Sequence, residues 1–133
     1  MIITGHGNFA SGLSSSIESI AGKQTGLKAI GFEEGMSSES LNKELRNAIE
    51  ELNQDDGVVL FTDIPGGTPF NQSVLLVSEF PKMRALSGTN LPALLDGIFS
   101  RSESLDCFVD KVLDAGKKGL VTYETKKKIC RFK

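Results

Sequence analysis

Four consecutive apolar residues, Val58-Val59-Leu60-Phe61, set the fold class of this chain of 133 residues. A strand with one face in water alternates apolar and polar residues, whereas a strand covered on both faces is apolar throughout. The turn-forming residues Asp55-Asp56-Gly57 precede the run and mark where the strand begins. The run therefore predicts a strand of a parallel sheet that has helices on both of its faces.

Strand and helix patterns alternate along the rest of the chain. Short apolar segments predict further strands over residues 1–3, 27–32, 83–86 and 119–123. Apolar residues three or four positions apart predict helices over residues 9–21, 38–52, 68–79 and 105–113, and Pro92 opens one more. We therefore expect an α/β fold, with one open, doubly wound, mainly parallel sheet and helices on both faces over residues 1–125. A basic tail follows over residues 126–133.

Capping residues set the expected ends of the helices. Ser37 or Ser38 is expected to cap the second helix, since a serine oxygen accepts a hydrogen bond from a free N–H of the first turn. Thr68-Pro69 fits an N-cap followed by proline at the first helical position, so Thr68 is predicted to cap the third helix. Gly116 and Gly119 are expected to close the last helix.

The charges are distributed unevenly. Five cations lie in the basic tail, so the net charge of −2 leaves −7 on residues 1–125. Nucleic-acid binding depends on neutralising phosphates with cationic side chains, so an acidic body argues against nucleic acid as the ligand. We expect the short tail to be solvated. Its cations are Lys126, Lys127, Lys128, Arg131 and Lys133.

The sequence also bears on location and on metal chemistry. No apolar run approaches the roughly 20 residues that a bilayer span needs. The start Met1-Ile2-Ile3 has neither a basic lead nor a long apolar segment, so we expect a cytoplasmic protein that meets the membrane only through a partner. Cys107 and Cys130 form no metal-binding or redox spacing, and no metal site or disulfide is expected.

The single histidine of the chain, His6, lies in a turn between Gly5 and Gly7 directly after the first predicted strand. Glycines allow a sharp bend and add no side chains, so the imidazole is expected to be accessible. Two other loops, over residues 63–68 and 88–90, leave strands at the same edge of the sheet. Ligands of open α/β sheets bind at this carboxyl edge, which predicts a functional site around His6.

The residues of these loops suggest a nucleophilic histidine beside a bound phosphate. Asp63 is expected to orient the ring and to stabilise positive charge on it. Glycines with uncovered N–H groups and the helix start at Thr68 offer an anion-binding site. Phosphoryl transfer from another phosphohistidine needs no cofactor, and none is expected. The expected phosphate-binding residues are Gly7, Gly66, Gly67 and Thr68, with Thr4 and Asn90 in supporting loops.

In these segments the chain resembles the enzyme IIA domain of the mannose family of the bacterial phosphoenolpyruvate:sugar phosphotransferase system. The order and spacing of the segments cover the domain through the helix that ends near Gly116. The matching residues are Ile2-Ile3-Thr4-Gly5-His6-Gly7 with Phe9-Ala10 and Gly12, then Leu60-Phe61-Thr62-Asp63 with Gly66-Gly67-Thr68-Pro69-Phe70-Asn71, and Ser87-Gly88-Thr89-Asn90-Leu91-Pro92.

The resemblance implies a concrete role. His6 would accept a phosphoryl group from the phosphocarrier protein HPr and pass it to a separate enzyme IIB, which phosphorylates the sugar that the membrane IIC/IID permease takes up. Asp63 would hydrogen-bond the ring, and the Thr68 hydroxyl would lie at the phosphate. The family also implies a homodimer that exchanges a C-terminal strand, here residues 120–123. The form Gly-His-Gly-Asn-Phe-Ala and the pair Ile64-Pro65 are similar to the N-acetylgalactosamine branch.

Three other functions remain open from the sequence. A histidine-phosphatase-like hydrolase also uses a phosphohistidine at a strand end, but that family has an arginine where Gly5 stands and requires a second histidine. A phosphocarrier subunit that serves dihydroxyacetone kinase is a closer alternative, although the Gly66–Asn71 segment fits the sugar branch better. In the third alternative the chain is a non-catalytic α/β binding module and His6 has a structural or regulatory role.

Overall fold

The computed structural model describes residues 1–52 and 55–125, along which strands and helices alternate as far as the fourth strand. Two helices then follow in succession. The strands are β1 (Ile2–His6), β2 (Lys28–Phe32), β3 (Val58–Thr62) and β4 (Met83–Leu86). The helices are α1 (Phe9–Ala21), α2 (Ser38–Glu51), α3 (Thr68–Glu79), α4 (Leu91–Phe99) and α5 (Leu105–Lys118).

The four strands form one parallel sheet in the order β2-β1-β3-β4. The chain leaves β1 toward β2 on one side and leaves β3 toward β4 on the other, so β1 and β3 flank the topological switch point. Thr4 of β1 pairs with Thr62 of β3, which sets the two strand ends side by side. The predicted fold class is confirmed, and this register brings the residues that follow Thr62 next to His6.

Strand β3 is buried over its whole length, as the continuous apolar run predicted. Val58 and Leu60 face a core cluster that the residues of α2 and α3 complete. Val59 and Phe61 face the other cluster, to which α1, α4 and α5 contribute. Successive side chains of a strand point to opposite faces, so one strand anchors both layers of helices.

The helix starts follow local chemistry. Ser37 caps α2 by accepting a hydrogen bond from the Ser40 backbone N–H at 3.1 Å. Of the two predicted caps, Ser37 and Ser38, the first is therefore the one observed. The predicted N-cap Thr68 is wrong, because the extended residue before α3 is Gly67 (φ −76°, ψ 164°) and Thr68 is already helical. Proline is tolerated throughout the first turn of a helix, because the N–H groups there have no helical acceptor. Pro69 therefore showed that a helix begins nearby but did not identify its first residue.

The strand predicted over residues 119–123 is wrong for the single chain. Residues 120–124 have no regular secondary structure, and Leu120, Val121 and Tyr123 are between 80% and 87% exposed. A strand exists only where a neighbouring strand pairs with it, and no described strand of the same chain reaches this segment. Helix α5 also continues through Gly116 to Lys118, two residues beyond one predicted end.

Some expectations fall outside the described part of the chain. The basic tail, with its five cations and Cys130, lies in residues 126–133, which the structure does not describe. Cys107 is a free, exposed thiol on α5. Within residues 1–52 and 55–125, no helix has the length and apolar character that crossing a membrane would require.

The role of β3 predicts the effect of truncating Leu60, which is fully buried in the α2/α3 cluster. Leu60→Ala should lower the free energy of unfolding by about 2–5 kcal/mol, because the cavity adds to the lost apolar burial. Urea unfolding followed by circular dichroism measures the change. Leu75→Ala is the matched control, since Leu75 is 53% exposed and its truncation should cost less than about 0.5 kcal/mol. Equal losses in the two variants would contradict this account of the core.

Candidate functional site

His6 is the last residue of β1, and 46% of its side chain is exposed. The following residue, Gly7, has a φ of +56° and donates its N–H to the Phe32 carbonyl at 3.0 Å, which turns the chain away from the sheet. Gly5, on the other side, has no room for a side chain. A Cβ there would lie 2.5 Å from Phe9 Cδ2 and 3.0 Å from Asp63 Cγ. The two glycines thus fix the ring at the carboxyl edge of the sheet.

Asp63 follows β3 and binds His6 through both the backbone and the ring. Its Oδ2 accepts the His6 backbone N–H at 2.9 Å and lies 2.7 Å from Nδ1. Its Oδ1 accepts the Ile64 backbone N–H at 2.9 Å. An ionised carboxylate can only accept hydrogen bonds, so Nδ1 carries the proton and the lone pair of the neutral ring lies on Nε2. The residue pair predicted from the sequence therefore meets in the geometry that a nucleophilic Nε2 requires.

The same contacts control the ionisation of Asp63. Partial burial raises the pKa of the carboxyl, but hydrogen bonds from the His6 backbone N–H, the His6 ring and the Ile64 backbone N–H outweigh burial. The pKa of Asp63 is therefore lowered from its ordinary value of 3.8. Asp63 is an anion at neutral pH and stabilises positive charge on the imidazole.

The start of α3 packs against the ring at Cε1, the atom between the two nitrogens. A Cβ on Gly67 would lie 2.9 Å from His6 Cε1, so the imidazole rests where only glycine leaves room. Cε1 is bonded to both ring nitrogens, and this contact places Nε2 beside the first turn of α3. Gly66 has a φ of +81°, and its carbonyl accepts the Asn71 side-chain N–H at 3.1 Å. The free N–H groups and positive dipole end of a helix start favour an anion at this place.

The other predicted site residues have different positions. Thr68, the first residue of α3, is half-buried beside Gly67. Thr4 lies two residues before His6 on the same face of β1, fully buried, and its hydroxyl has no hydrogen-bond partner among the described residues. Thr4 is therefore out of contact with solvent.

Asn90 lies away from the ring. Its side chain caps α4 by accepting the Ala93 backbone N–H at 3.1 Å, and it donates to the Gly116 carbonyl of α5 at 2.9 Å. The loop before it braces the end of β3 instead, since the Gly88 backbone N–H binds the Asp63 carbonyl at 2.9 Å. The third predicted loop thus holds Asp63 through its backbone, while Asn90 joins two helices.

Phe32 also borders the site, although no pattern in the sequence indicated it. The Phe32 ring meets the His6 ring edge to face, with centroids 5.7 Å apart and planes at 78°. An open depression of about 330 Å³ lies beside these two rings. The loop after β2 also lines the depression, through Glu33, Glu34 and Met36. The parallel register of β1 and β2 pairs His6 with Phe32, the last residue of β2. The strand end predicted at Phe32 was therefore the one signal in the sequence that could have placed Phe32 beside His6.

The described residues contain no group of three histidine, cysteine, aspartate or glutamate side chains that could hold a metal ion. The groups that meet at the site are His6, Asp63 and the start of α3. These groups can hold an anion against a nucleophilic ring nitrogen and can stabilise the charge that the ring acquires.

Comparison with known proteins gives a consistent result. A family model described as EIIA-man, PTS system fructose IIA component, matches residues 1–113. The fructose-specific EIIA component of Bacillus subtilis is 33% identical over 72% of this chain and 66% of its own length. The mannose-specific EIIAB component of Escherichia coli K12 is 27% identical over 95% of this chain. The matched region spans 40% of that relative.

Solved structures agree with the family match. The crystal structure of phosphotransferase system component EIIA from Streptococcus agalactiae superposes with a TM-score of 0.84 and is 38% identical. That match covers 91% of this chain and 94% of the Streptococcus chain. The α/β architecture and the sequence similarity thus extend over the same part of the chain.

The lowered pKa of Asp63 predicts a pH-dependent contribution to stability. The unfolded carboxyl has a pKa of about 3.9, so the stabilisation is complete above that pH and disappears as the pH falls through the lower folded-state pKa. Asp63→Asn should therefore reduce the free energy of unfolding at about pH 6 and make a much smaller difference at about pH 2. Urea titrations of both proteins at each pH measure this. A difference of the same size at the two pH values would contradict a lowered pKa for the Asp63 carboxyl.

Proposed function

The chain belongs to the EIIA-man family of phosphotransferase system IIA components, and from this membership and the His6–Asp63 geometry we propose that it carries phosphoryl groups for sugar uptake. The observation that carries the proposal is the 2.7 Å contact between His6 Nδ1 and Asp63 Oδ2, beside the start of α3. It leaves Nε2 as the nucleophile at a place suited to a phosphate. The donor in this proposal is phospho-HPr, and the acceptor is an enzyme IIB that works with the membrane IIC/IID permease.

The transfer needs no general base. The lone pair of Nε2 attacks the phosphorus of the donor, the N–P bond of the donor breaks, and the donor ring nitrogen recovers its lone pair. Nδ1 keeps its proton throughout, so the ring of phosphorylated His6 is positively charged. Asp63 stabilises that charge through the Nδ1–H contact, and transfer to enzyme IIB reverses the same steps.

The phosphoryl oxygens require donors of their own. We assign this role to the backbone N–H groups of Gly66 and Gly67 and to Thr68 at the start of α3. Gly7 donates its own N–H to the Phe32 carbonyl, so its part in the site is to shape the facing turn. A positioned anion site stabilises the transition state because its dipoles point at the phosphoryl group before reaction begins. We assign a supporting role to Thr4, which is buried in β1, and to Asn90, which joins α4 to the Gly116 carbonyl. No cofactor takes part in the proposed reaction.

Membership of the family does not identify the transported sugar. The relatives compared above are named for fructose and for mannose. The similarity of Gly5–Phe9 and Ile64-Pro65 to the N-acetylgalactosamine branch stays a prediction. In the proposed mechanism His6 exchanges phosphoryl groups with proteins and never touches the sugar, so the site itself does not encode this specificity.

The proposal is tested by phosphorylation of His6. Incubation with phosphoenolpyruvate, enzyme I and HPr should label the wild-type protein with an acid-labile phosphate, because phosphohistidine hydrolyses in acid. His6→Gln keeps a polar side chain of similar reach but has no nucleophilic nitrogen, so it should remain unlabelled. Circular dichroism verifies that the variant is folded. Labelling that persists in the folded His6→Gln protein would overturn the assignment.

We further propose that two chains exchange their C-terminal segments. Strand β4 lies at the edge of the sheet and can pair with one more strand, and the segment after α5 exposes Leu120, Val121 and Tyr123. A depression of about 270 Å³ beside β4 is lined by Leu86, Gly88 and Leu120, among others. Apolar side chains that are 80–87% exposed gain the most from burial against such an edge.

Strand exchange predicts a dimer in solution. Sedimentation velocity at micromolar concentration should give twice the chain mass of 14.3 kDa. Leu120→Asp combined with Val121→Asp should shift the protein toward monomer, because both side chains would enter an apolar interface as charges. Ile20→Asp is the control, since Ile20 is 62% exposed on α1, a helix that packs against β1 and β2. A monomeric wild-type protein would refute strand exchange.

A further inference from the structure

A cavity of about 220 Å³ lies at the edge of the sheet opposite to His6. We call it the amino-edge cavity, because Gly26 before β2 and Gly57 before β3 line it together with Arg101, among other residues. The strands run parallel, so their first residues share this edge, while His6 ends β1 at the carboxyl edge. The two ends of β1 are roughly 13 Å apart, since a strand rises about 3.3 Å per residue. The amino-edge cavity is therefore separate from the site around His6.

The Arg101 guanidinium borders this cavity and has no carboxylate to balance its charge. Its Nη1 donates to the Thr25 carbonyl, and it forms no ion pair with any residue that the structure describes. The other described arginines, Arg46 and Arg84, each pair with a carboxylate, at 2.7 Å and 3.0 Å. Partial burial lowers the pKa of Arg101 from its ordinary value, because the cation loses water without gaining an anion. Its remaining N–H donors can hold a carboxylate through two parallel hydrogen bonds.

A carboxylate borders the same cavity and is also without a partner. Asp56 is exposed and forms no hydrogen bond or ion pair with the described part of the chain, so it does not neutralise Arg101. Glu103, the other acidic residue of the lining, is already bound by Lys111 at 2.5 Å. The amino-edge cavity thus offers one unpaired charge of each sign. A ligand that carries both charges can pair with the two residues at once.

Apolar side chains line the cavity beside these charges. Val59, Leu105 and Phe108 border it, and all three belong to or pack against the core cluster on the α1, α4 and α5 face of the sheet. The volume of about 220 Å³ falls below the roughly 300 Å³ at which pockets for drug-sized ligands begin. The occupant that fits is therefore a small molecule with an apolar body, which gains free energy by covering these side chains.

We propose that the amino-edge cavity binds an α-amino acid with an apolar side chain. The α-carboxylate pairs with Arg101 and the α-ammonium pairs with Asp56, while the side chain covers Leu105 and Phe108. A simple organic anion would satisfy Arg101 but would be repelled by Asp56, and a simple amine would have the reverse fault. The inference goes beyond the proposed function and does not depend on it, because none of these residues takes part in phosphoryl transfer.

Calorimetric titration of the unphosphorylated protein tests the class of ligand. L-phenylalanine and L-leucine carry all three groups, whereas 3-phenylpropionate lacks the ammonium, phenethylamine lacks the carboxylate and free glycine lacks the side chain. At least one of the complete amino acids should bind about tenfold or more tightly than each incomplete probe, because every missing group leaves a part of the cavity unmatched. Absence of binding at about 10 mM of both amino acids would overturn the proposal. Tighter binding of glucose 6-phosphate, a hydroxylated anion, would also overturn it.

Variants of the two charged residues test their roles. Arg101→Gln and Asp56→Asn should each weaken binding of the amino acid about tenfold or more, because each leaves one charge of the ligand unpaired. Arg101→Lys keeps the positive charge and should retain more of the affinity than Arg101→Gln. Arg46→Gln and Glu44→Gln are the matched controls, since they remove the same charges from α2. Both controls should bind as wild type, and equal losses in the controls would overturn the proposal.

NMR of the backbone amides tests where the amino acid binds. Addition of L-phenylalanine or L-leucine should shift the amide signals of Gly57 and Leu105, which border the amino-edge cavity, and should leave those of Gly7 and Gly67 beside His6 unchanged. Spectra of Arg101→Gln also verify that this variant is folded, since Arg101 holds the Thr25 carbonyl in the wild-type protein. Shifts concentrated at Gly7 and Gly67 would place the ligand at the carboxyl edge and would overturn the proposal.

Discussion

The contact between His6 and Asp63 depends on the pairing of β1 with β3, and the rest of the site depends on that contact. The register that joins Thr4 to Thr62 puts Asp63 beside the ring, where one carboxylate oxygen binds both the backbone N–H and Nδ1 of His6. The register is held by β3, whose alternate side chains enter the two core clusters. A buried strand therefore determines which ring nitrogen is available for chemistry, because the carboxylate occupies the other.

Close packing around the ring completes the arrangement. Side chains larger than hydrogen at Gly5 or Gly67 would enter the space of Phe9 and of His6 itself. The imidazole is thus confined by contacts with Phe32 and with the start of α3. Confinement matters because a protein that catalyses phosphoryl transfer contributes little covalent chemistry of its own. Most of the rate enhancement comes from positioning the reacting groups and stabilising their charge. The loop after β2 borders the open side of the ring with Glu33 and Glu34.

The sequence predicted the parts of the fold that local patterns control. The continuous apolar residues of β3 and the periodic residues of α2 had the predicted structure, and Asp63 lay where strand order requires. Other outcomes depended on contacts between distant residues. Asn90 joins α4 to Gly116, and Phe32 reaches His6 through the pairing of β1 with β2. Leu120 has no pairing strand among the residues of its own chain that the structure describes. The cap of α3 is Gly67 and not the predicted Thr68, because proline fits several positions of a first turn and does not mark where the helix begins.

The central claim is that Asp63 holds Nδ1 and leaves Nε2 of His6 as the phosphoryl acceptor. Nitrogen-15 NMR of the histidine ring, before and after phosphorylation, tests it directly. We expect the neutral form of the ring to carry its proton on Nδ1. In the phosphorylated ring, phosphorus should couple to Nε2 while Nδ1 remains protonated. Phosphorus bonded to Nδ1, or a neutral ring with its proton on Nε2, would contradict it.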